Sequence, residues 1–193
     1  IIMMLKTFPI GGIHPPDNKL SAGKVIEELP IPERVMIPLQ QHLGSPATAV
    51  VKKGDKVLAG QIIATASGFV SANIHSSVSG TVEKIDTIQD IGGFNREAVF
   101  IKVEGDEWID GINQNYDKNS FPEKNEIVKK ISDAGIVGMG GAAFPTHVKI
   151  TIPEGKKAEI LLINGVECEP YLTADHRLML EQPEALIDGI KLL

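Results

Sequence analysis

The sequence has little cysteine, few aromatic residues and no long apolar run. It holds one cysteine in 193 residues, so no internal disulfide can form. Aromatic residues make up 5% of the chain, no cluster of lysine and arginine is present, and the formal net charge is -6. These features argue against nucleic-acid binding. No stretch of about 18 apolar residues occurs, so no membrane-spanning helix is predicted.

Composition and periodicity divide the chain into four predicted parts. Proline and glycine indicate an irregular arm over residues 1–34. Residues 35–105 are expected to form an all-β domain, residues 106–122 a linker, and residues 123–193 the beginning of an α/β domain. Residues 188–193 have the pattern of an amphipathic helix that stops abruptly. We therefore expect the chain to be a fragment of a longer protein.

Short apolar runs separated by glycine turns indicate the strands of the all-β part. The predicted strands cover residues 49–51, 61–66, 72–85 and 98–103. No helical period lies between them, which is typical of a small sandwich.

Two motifs in this region resemble the biotinyl and lipoyl carrier fold, a barrel-sandwich hybrid. They are VKKGDKVLAGQ at residues 51–61 and SSVSGTV at residues 76–82. Carriers present a modifiable lysine on a hairpin between these motifs. Here the corresponding residues 67–71 contain no lysine. The resemblance implies the fold and argues against a swinging-arm cofactor.

Two segments near the C-terminal end point to a ligand site. The glycine-rich segment, residues 135–149, reads GIVGMGGAAFPTHVK, and the acidic segment, residues 161–170, reads LLINGVECEP. A helix is predicted over residues 122–131, with Gly135 as the residue just after its end. The apolar run 158–163 is predicted to be a buried strand, which would place the acidic side chains at its carboxyl end, where α/β sheets bind ligands.

Glycines allow backbone N–H groups to approach a flat or phosphorylated ligand. On these grounds alone, a tight connection that merely needs small residues is an equal alternative for the glycine-rich segment. The acidic segment beyond the predicted strand favours a nucleotide or flavin site.

Together the two segments are similar to the NADH-binding flavoprotein subunit of respiratory complex I. That family has a pattern close to G-R-G-G-A-G-F-P-T-G-x-K, followed by N-A-D-E-S-E-P. With the sandwich and the arm sequence FPIGGIHPP at residues 8–16, nearly the whole chain resembles the N-terminal part of the RnfC family of Rnf ion-translocating electron transport complexes. The implied fold class is α+β and multidomain: a barrel-sandwich hybrid followed by the start of a Rossmann-like α/β domain that binds flavin and NADH.

The resemblance also implies a set of cofactor-binding residues. FMN is assigned to the glycines, the lysine and the first two polar residues of the acidic segment, and the nicotinamide nucleotide to Phe144 and Glu169. The full set is Gly138, Gly140, Gly141, Phe144, Lys149, Asn164, Glu167 and Glu169. No catalytic residue is assigned, because the cofactor carries the chemistry. No metal ligand is assigned, because Cys168 alone cannot hold a cluster, which takes about four ligands.

The function implied by the resemblance is electron input to a membrane-associated, ion-translocating NADH:ferredoxin oxidoreductase. Electrons would pass from NADH through FMN to 4Fe-4S clusters held beyond residue 193, and indirectly to ferredoxin. The implied partners are the membrane-embedded and iron–sulfur subunits of the complex, and the implied location is peripheral, at the cytoplasmic face of the bacterial inner membrane. The chain alone is expected to be inactive.

A different class of function stays open. Met139 and Val166 replace polar residues of the family pattern, and Ala143 replaces a glycine. These departures favour a non-catalytic docking module with a degenerate nucleotide fold. The absence of a lysine at residues 67–71 disfavours a third possibility, a biotin or lipoyl carrier.

Overall fold

The computed structural model describes residues 12, 13, 15–112 and 122–193. In this part of the chain, seven strands precede four helices. The elements are β1 (Arg34–Pro38), β2 (Thr48–Ala49), β3 (Lys56–Val57), β4 (Ile62–Thr65), β5 (Ile74–His75), β6 (Ser79–Gln89), β7 (Asn95–Gly105), α1 (Lys124–Asp133), α2 (Thr146–Ile150), α3 (Ala174–Glu181) and α4 (Pro183–Leu192).

The strands form two antiparallel sheets, here called the sandwich. One sheet has the order β1-β7-β6-β3 and the other the order β2-β4-β5. The prediction of an all-β region is confirmed. Strand β1 lies outside the predicted strands. The prolines at residues 30, 32 and 38 favour an extended chain but do not mark a strand. Pro38 lies at the end of this edge strand, where a missing N–H is tolerated.

Apolar side chains from both sheets meet in a single core. Strand β7 alternates around Val99 and Ile101, which are fully buried. The buried members of the core are Ile37, Leu39, Ala47, Val57, Ile63, Ala64, Ile74, Val78, Val82, Val99 and Ile101. The short apolar runs of the sequence prediction supply these buried side chains.

The turn between β6 and β7 is organised by one carboxylate. Asp90 Oδ1 accepts hydrogen bonds from the backbone N–H groups of Gly92 and Phe94, each at 2.9 Å, and Oδ2 lies 3.1 Å from Arg96 Nε. The hydrogen bond from the Phe94 N–H, followed by that from Arg96, lowers the pKa of Asp90. The turn presents Ile91 fully to solvent.

We expect this turn to loosen in acid. Because the folded-state pKa of Asp90 lies below its unfolded value, the carboxylate stabilises the turn above about pH 4. That stabilisation is lost as the pH falls through the folded-state pKa. Amide-exchange protection of Gly92 and Phe94, measured from about pH 5 downwards, should fall in the native protein. In Asp90→Asn the protection of these two amides should be lower and should not change with pH. Constant protection in the native protein would contradict the assignment.

Helix α1 ends as the sequence predicts. Gly135 adopts φ 64° just after the C-cap residue Ala134. The N–H of Gly135 donates to the Ser132 carbonyl at 3.0 Å, and that of Ile136 donates to the Ile131 carbonyl at 3.2 Å. This pair of bonds is the Schellman motif, which satisfies the last carbonyls of a helix. The glycine-rich segment therefore begins from a fixed helix end.

The amphipathic helix expected at residues 188–193 is part of α4, and a separate helix, α3, precedes it. Pro183 begins α4, and a proline is tolerated at the first helical position but interrupts a helix that would run through it. Within the described part of the chain, no helix has the length and apolar character needed to cross a membrane.

The predicted strand at residues 158–163 is wrong. These residues carry no strand, and Ile160 and Leu162 are 79% and 87% exposed. A strand is stable only when a neighbour satisfies its backbone groups, and no described strand pairs with this run. Residues 122–193 hold helices and one isolated bridge, Val137 with Pro145. The Rossmann-like part of the fold stays a prediction.

Contacts divide the chain into two compact units. One comprises Ile1–Glu28 with Leu161–Lys191, and the other comprises Leu29–Ile160 with Leu192–Leu193. The second unit contains the sandwich, α1, α2 and the glycine-rich segment. The first contains the acidic segment and α3.

Candidate functional site

The glycine-rich segment folds back on itself between α1 and α2. The Gly138 N–H donates to the Phe144 carbonyl at 2.9 Å, and the Thr146 N–H donates to the Ile136 carbonyl at 3.0 Å. Pro145 is fully buried beneath this closure. The two ends of the loop are therefore pinned, and its tip, residues 139–142, projects between them.

The tip offers unused backbone donors in open space. A Cβ placed on Gly140 or Gly141 would meet no atom within 4 Å. The N–H groups of residues 139–142 donate to no acceptor among the described residues. Successive free N–H groups, two of them on glycines in open space, suit a phosphate or the polar edge of a flat ring. The tip can bind an anion without rearranging other hydrogen bonds.

Two predicted side chains flank the tip in sequence. Phe144 is half-buried just before α2, and Lys149 is exposed on that helix. The Lys149 ammonium can therefore supply a mobile positive charge. Gly138 is in ordinary contact with the Phe144 backbone, at 3.7 Å from an added Cβ, so this glycine shapes the loop more than it opens it.

The departure from the family pattern at Ala143 has a structural consequence. This alanine adopts φ 44°, a left-handed conformation that costs an L-residue about 1–2 kcal/mol. Its N–H donates to the Gly140 carbonyl at 3.0 Å. The loop keeps the shape that a glycine would favour, at some cost in strain.

The polar residues of the acidic segment take part in local structure. Asn164 Oδ1 accepts the Val166 N–H at 3.0 Å, and Glu167 Oε1 accepts the His176 N–H in the first turn of α3 at 3.1 Å. The Asn164 amide nitrogen and the second oxygen of Glu167 are left for a ligand. Each side chain is thereby held in one orientation.

A lysine that sequence reasoning missed holds the acidic segment in place. Lys19 Nζ donates to the Glu169 carbonyl at 3.0 Å and to the Leu172 carbonyl at 2.7 Å. The arm and the acidic segment border an open groove of about 440 Å³. It is lined by Pro15, Asp17, Lys19, Val166, Glu167, Cys168, Glu169 and Pro170. A lone lysine in a proline-rich arm carries no sequence signal for this role.

The eight predicted site residues divide between the two compact units. Gly138, Gly140, Gly141, Phe144 and Lys149 belong to the unit with the sandwich, and Asn164, Glu167 and Glu169 to the other. The structure defines each group within its own unit: a loop with free donors, and a groove edged by carboxylates.

Other titratable groups in the described part of the chain do not form a metal site, since no cluster of three His, Cys, Asp or Glu is found there. Cys168 is free and exposed. Burial lowers the pKa of His75, and its interaction with the Asp133 backbone opposes that shift. His42 is buried, with Nε2 accepting the Ala72 N–H at 3.1 Å. Both histidines are packed against the sandwich.

Comparison with known proteins gives two family matches. Residues 6–106, more than half of the chain, match the RnfC barrel sandwich hybrid domain. Residues 131–193, which include both candidate segments, match the Nuo51 FMN-binding domain.

Curated relatives agree with these matches. The C subunit of the proton-translocating ferredoxin:NAD(+) oxidoreductase complex of Clostridium ljungdahlii is 47% identical over 98% of this chain and 42% of its own length. The Na(+)-translocating counterpart of Acetobacterium woodii is 44% identical over 94% of this chain and 41% of its own length. The C subunit of the ion-translocating oxidoreductase complex of Rhodobacter capsulatus is 43% identical over 98% of this chain and 37% of its own length.

The chain thus spans about two fifths of the length of these relatives. The sandwich and the two candidate segments fall within the matched regions. On the family match and on similarity over nearly all its residues, the chain belongs to the RnfC family, with a barrel-sandwich hybrid domain followed by an FMN-binding domain.

Proposed function

We propose that this chain is the flavin-binding part of an electron-input subunit in an ion-translocating ferredoxin:NAD oxidoreductase. The observation that carries the proposal is the tip of the glycine-rich segment, where four successive N–H groups have no acceptor among the described residues. A Cβ at Gly140 or Gly141 would stand in open space. The family match to an FMN-binding domain over residues 131–193 supports the same function.

The residues present fit FMN. Gly140 and Gly141 would let the phosphate and the ring approach the backbone, and Gly138 would shape the loop that carries them. Lys149 would balance the phosphate charge. Asn164 and Glu167 would bind polar groups of the flavin through the atoms that their internal hydrogen bonds leave free.

Phe144 and Glu169 are proposed for the nicotinamide nucleotide. An aromatic side chain stacks on flat rings, and a carboxylate accepts hydrogen bonds from ribose hydroxyls. Glu169 lies in the groove that Lys19 braces, so its backbone is held while its carboxylate stays available.

When bound, FMN would supply the conversion between hydride transfer and single-electron transfer. The role of the chain is to bind, orient and neutralise charge. No protein acid or base is needed, and none is assigned.

The proposal places this chain in a larger assembly. Electrons would leave towards iron–sulfur clusters held outside these residues and then towards ferredoxin, with other members of the complex as partners. We propose peripheral attachment at the cytoplasmic face of the membrane.

The boundaries at residues 34, 105 and 122 are proposed to separate arm, sandwich, linker and nucleotide-binding domain.

A non-catalytic docking module is the second candidate. Met139 is 98% exposed and Val166 is 74% exposed where polar contacts to a flavin were expected. The absorption spectrum of the full-length protein separates the two. Stoichiometric flavin absorbance supports electron input, whereas a colourless protein that does not take up added FMN supports docking.

Removing a proposed ligand side chain should weaken cofactor binding. In the full-length protein, Lys149→Ala should weaken FMN binding and Glu169→Ala should weaken NADH binding. Each loss should be about 1–3 kcal/mol, as for a removed charged hydrogen-bond partner. Calorimetric titration with FMN and NADH measures both.

Exposed residues outside the two segments provide matched controls. Lys156→Ala and Glu154→Ala remove the same charges from a neighbouring loop and should leave both affinities unchanged. Native affinity in Lys149→Ala and Glu169→Ala, or equal losses in the controls, would overturn the site assignment.

A further inference from the structure

The sandwich contacts the glycine-rich segment through two of its loops, residues 40–46 and 66–71. Hydrogen bonds join these two loops to each other. Ser71 is fully buried, and its hydroxyl donates to the Ser45 carbonyl at 2.8 Å. The Ser45 N–H donates to the Val70 carbonyl at 3.0 Å. Gly44 adopts φ 105°, and a Cβ there would lie 2.1 Å from the Val70 oxygen. We call this hydrogen-bonded pair of loops the platform.

The platform binds the glycine-rich segment on the C-terminal side of its tip. The Leu43 N–H donates to the Ala143 carbonyl at 3.2 Å. His147 Nε2, in the first turn of α2, lies 3.3 Å from the Phe69 carbonyl oxygen. Both bonds use backbone groups of the platform. Its side chains can vary without loss of the contact.

The chemistry of the Phe69 contact identifies which ring nitrogen of His147 donates. A carbonyl oxygen can only accept, so Nε2 carries the proton and donates. The other ring nitrogen, Nδ1, is buried with no hydrogen-bond partner among the described residues. An unpaired buried nitrogen is unfavourable, which makes space filling alone a poor account of a histidine here.

The sandwich also holds the N-terminal side of the segment. Asn73 Nδ2 donates to the Asp133 carbonyl at the end of α1, at 3.1 Å. Gly135 packs so closely on Asn73 that a Cβ would lie 2.2 Å from its carbonyl oxygen. The loop with free donors is thus held at both ends by the sandwich.

We propose that the sandwich acts as a brace that holds the glycine-rich segment in its ligand-binding shape, with His147 as the positioning residue. The carrier fold places a modifiable lysine at this hairpin, whereas this chain uses the backbone of the hairpin, at Phe69 and Val70, as a structural support. The inference rests on the proposed flavin site, to which it adds a role for the sandwich. His147 acts through the loop, not on the ligand.

Substitutions at His147 test the brace, because they keep or remove a donor nitrogen at the position of Nε2. A glutamine places its amide nitrogen close to where Nε2 lies and can donate to the Phe69 carbonyl, whereas an asparagine is too short. In the full-length protein, His147→Ala and His147→Asn should bind FMN about two- to tenfold more weakly, as for one lost hydrogen bond. His147→Gln should recover most of the affinity.

The same contact offers a matched control. Phe69→Ala removes a side chain that is 71% exposed but keeps the carbonyl, so it should bind FMN like the native protein. The visible circular dichroism of bound FMN, which reports how the ring is held, should change in His147→Ala and return in His147→Gln. Melting temperatures of all variants should stay close together if the sandwich core is intact.

Hydrogen exchange without flavin separates failure of the brace from failure of the proposed function. Peptides covering residues 135–147 should exchange faster in His147→Ala than in the native protein or Phe69→Ala. Native exchange and native FMN affinity in His147→Ala would overturn the brace, as would equal effects in Phe69→Ala. If the native protein binds no FMN, the flavin site is refuted. The exchange result alone then supports or overturns the brace.

Discussion

Replacing Gly135 with alanine should lower the free energy of unfolding by about 2–5 kcal/mol. The residue adopts φ 64°, where an L-side chain costs about 1–2 kcal/mol. A Cβ would also lie 2.2 Å from the Asn73 oxygen and 3.1 Å from its carbonyl carbon. Both atoms are backbone, so the contact can be relieved only by moving the end of α1, and such overpacking costs about 1–3 kcal/mol.

Gly155→Ala separates the two contributions. Gly155 adopts φ 73°, yet a Cβ there would meet no atom within 4 Å. It should therefore show only the conformational cost of about 1–2 kcal/mol. Urea denaturation of both variants measures the difference. Equal losses at the two positions would mean that the close approach of α1 to Asn73 contributes nothing to stability.

Replacing Ile101 with alanine should destabilise the protein by about 2–5 kcal/mol. Ile101 is fully buried in the central strand β7, where it pairs with Val35 of β1 and Val82 of β6. Strand neighbours on both sides limit how far the sheet can collapse into the space left behind. The cost therefore includes both the lost burial of the side chain and the cavity that remains.

A graded series checks this cause. Ile101→Val should lose only about 0.5–1.5 kcal/mol, because it removes a single methyl group. Ile91→Ala provides the surface control, since Ile91 is fully exposed at the β6–β7 turn and should change stability by less than about 0.5 kcal/mol. A loss at Ile91 as large as at Ile101 would contradict the assignment of the core.

Local patterns predicted the parts of the fold that local physics controls. Short apolar runs between glycine turns marked the region of β6 and β7, because strands need apolar side chains for the core and turns between them. The helical period before Gly135 marked α1, and Gly135 itself marked the helix end, because glycine enters the left-handed region without penalty. In each case the residues that cause the element to form, or to end, lie in one short run of the sequence.

Predictions failed where the outcome depends on distant residues. The run at 158–163 is apolar enough for a buried strand, but burial requires a neighbouring element, and its isoleucines and leucines are exposed. Strand β1 was missed for the converse reason. Its local sequence, which ends in Pro38, does not indicate a strand. The strand that pairs with it and stabilises it, β7, lies far along the chain.

The sequence by itself determined the barrel-sandwich hybrid, the helix that leads into the glycine-rich segment, and the family to which the chain belongs. Those conclusions rest on periodicity and on contiguous motifs. Only the tertiary structure decided that Lys19 holds the acidic segment and that Leu43, Phe69 and Asn73 grip the glycine-rich segment. Each contact joins residues distant in the chain, and at least one partner in it is a backbone carbonyl or N–H group. Nearly every residue carries these groups, so they leave no mark in a sequence.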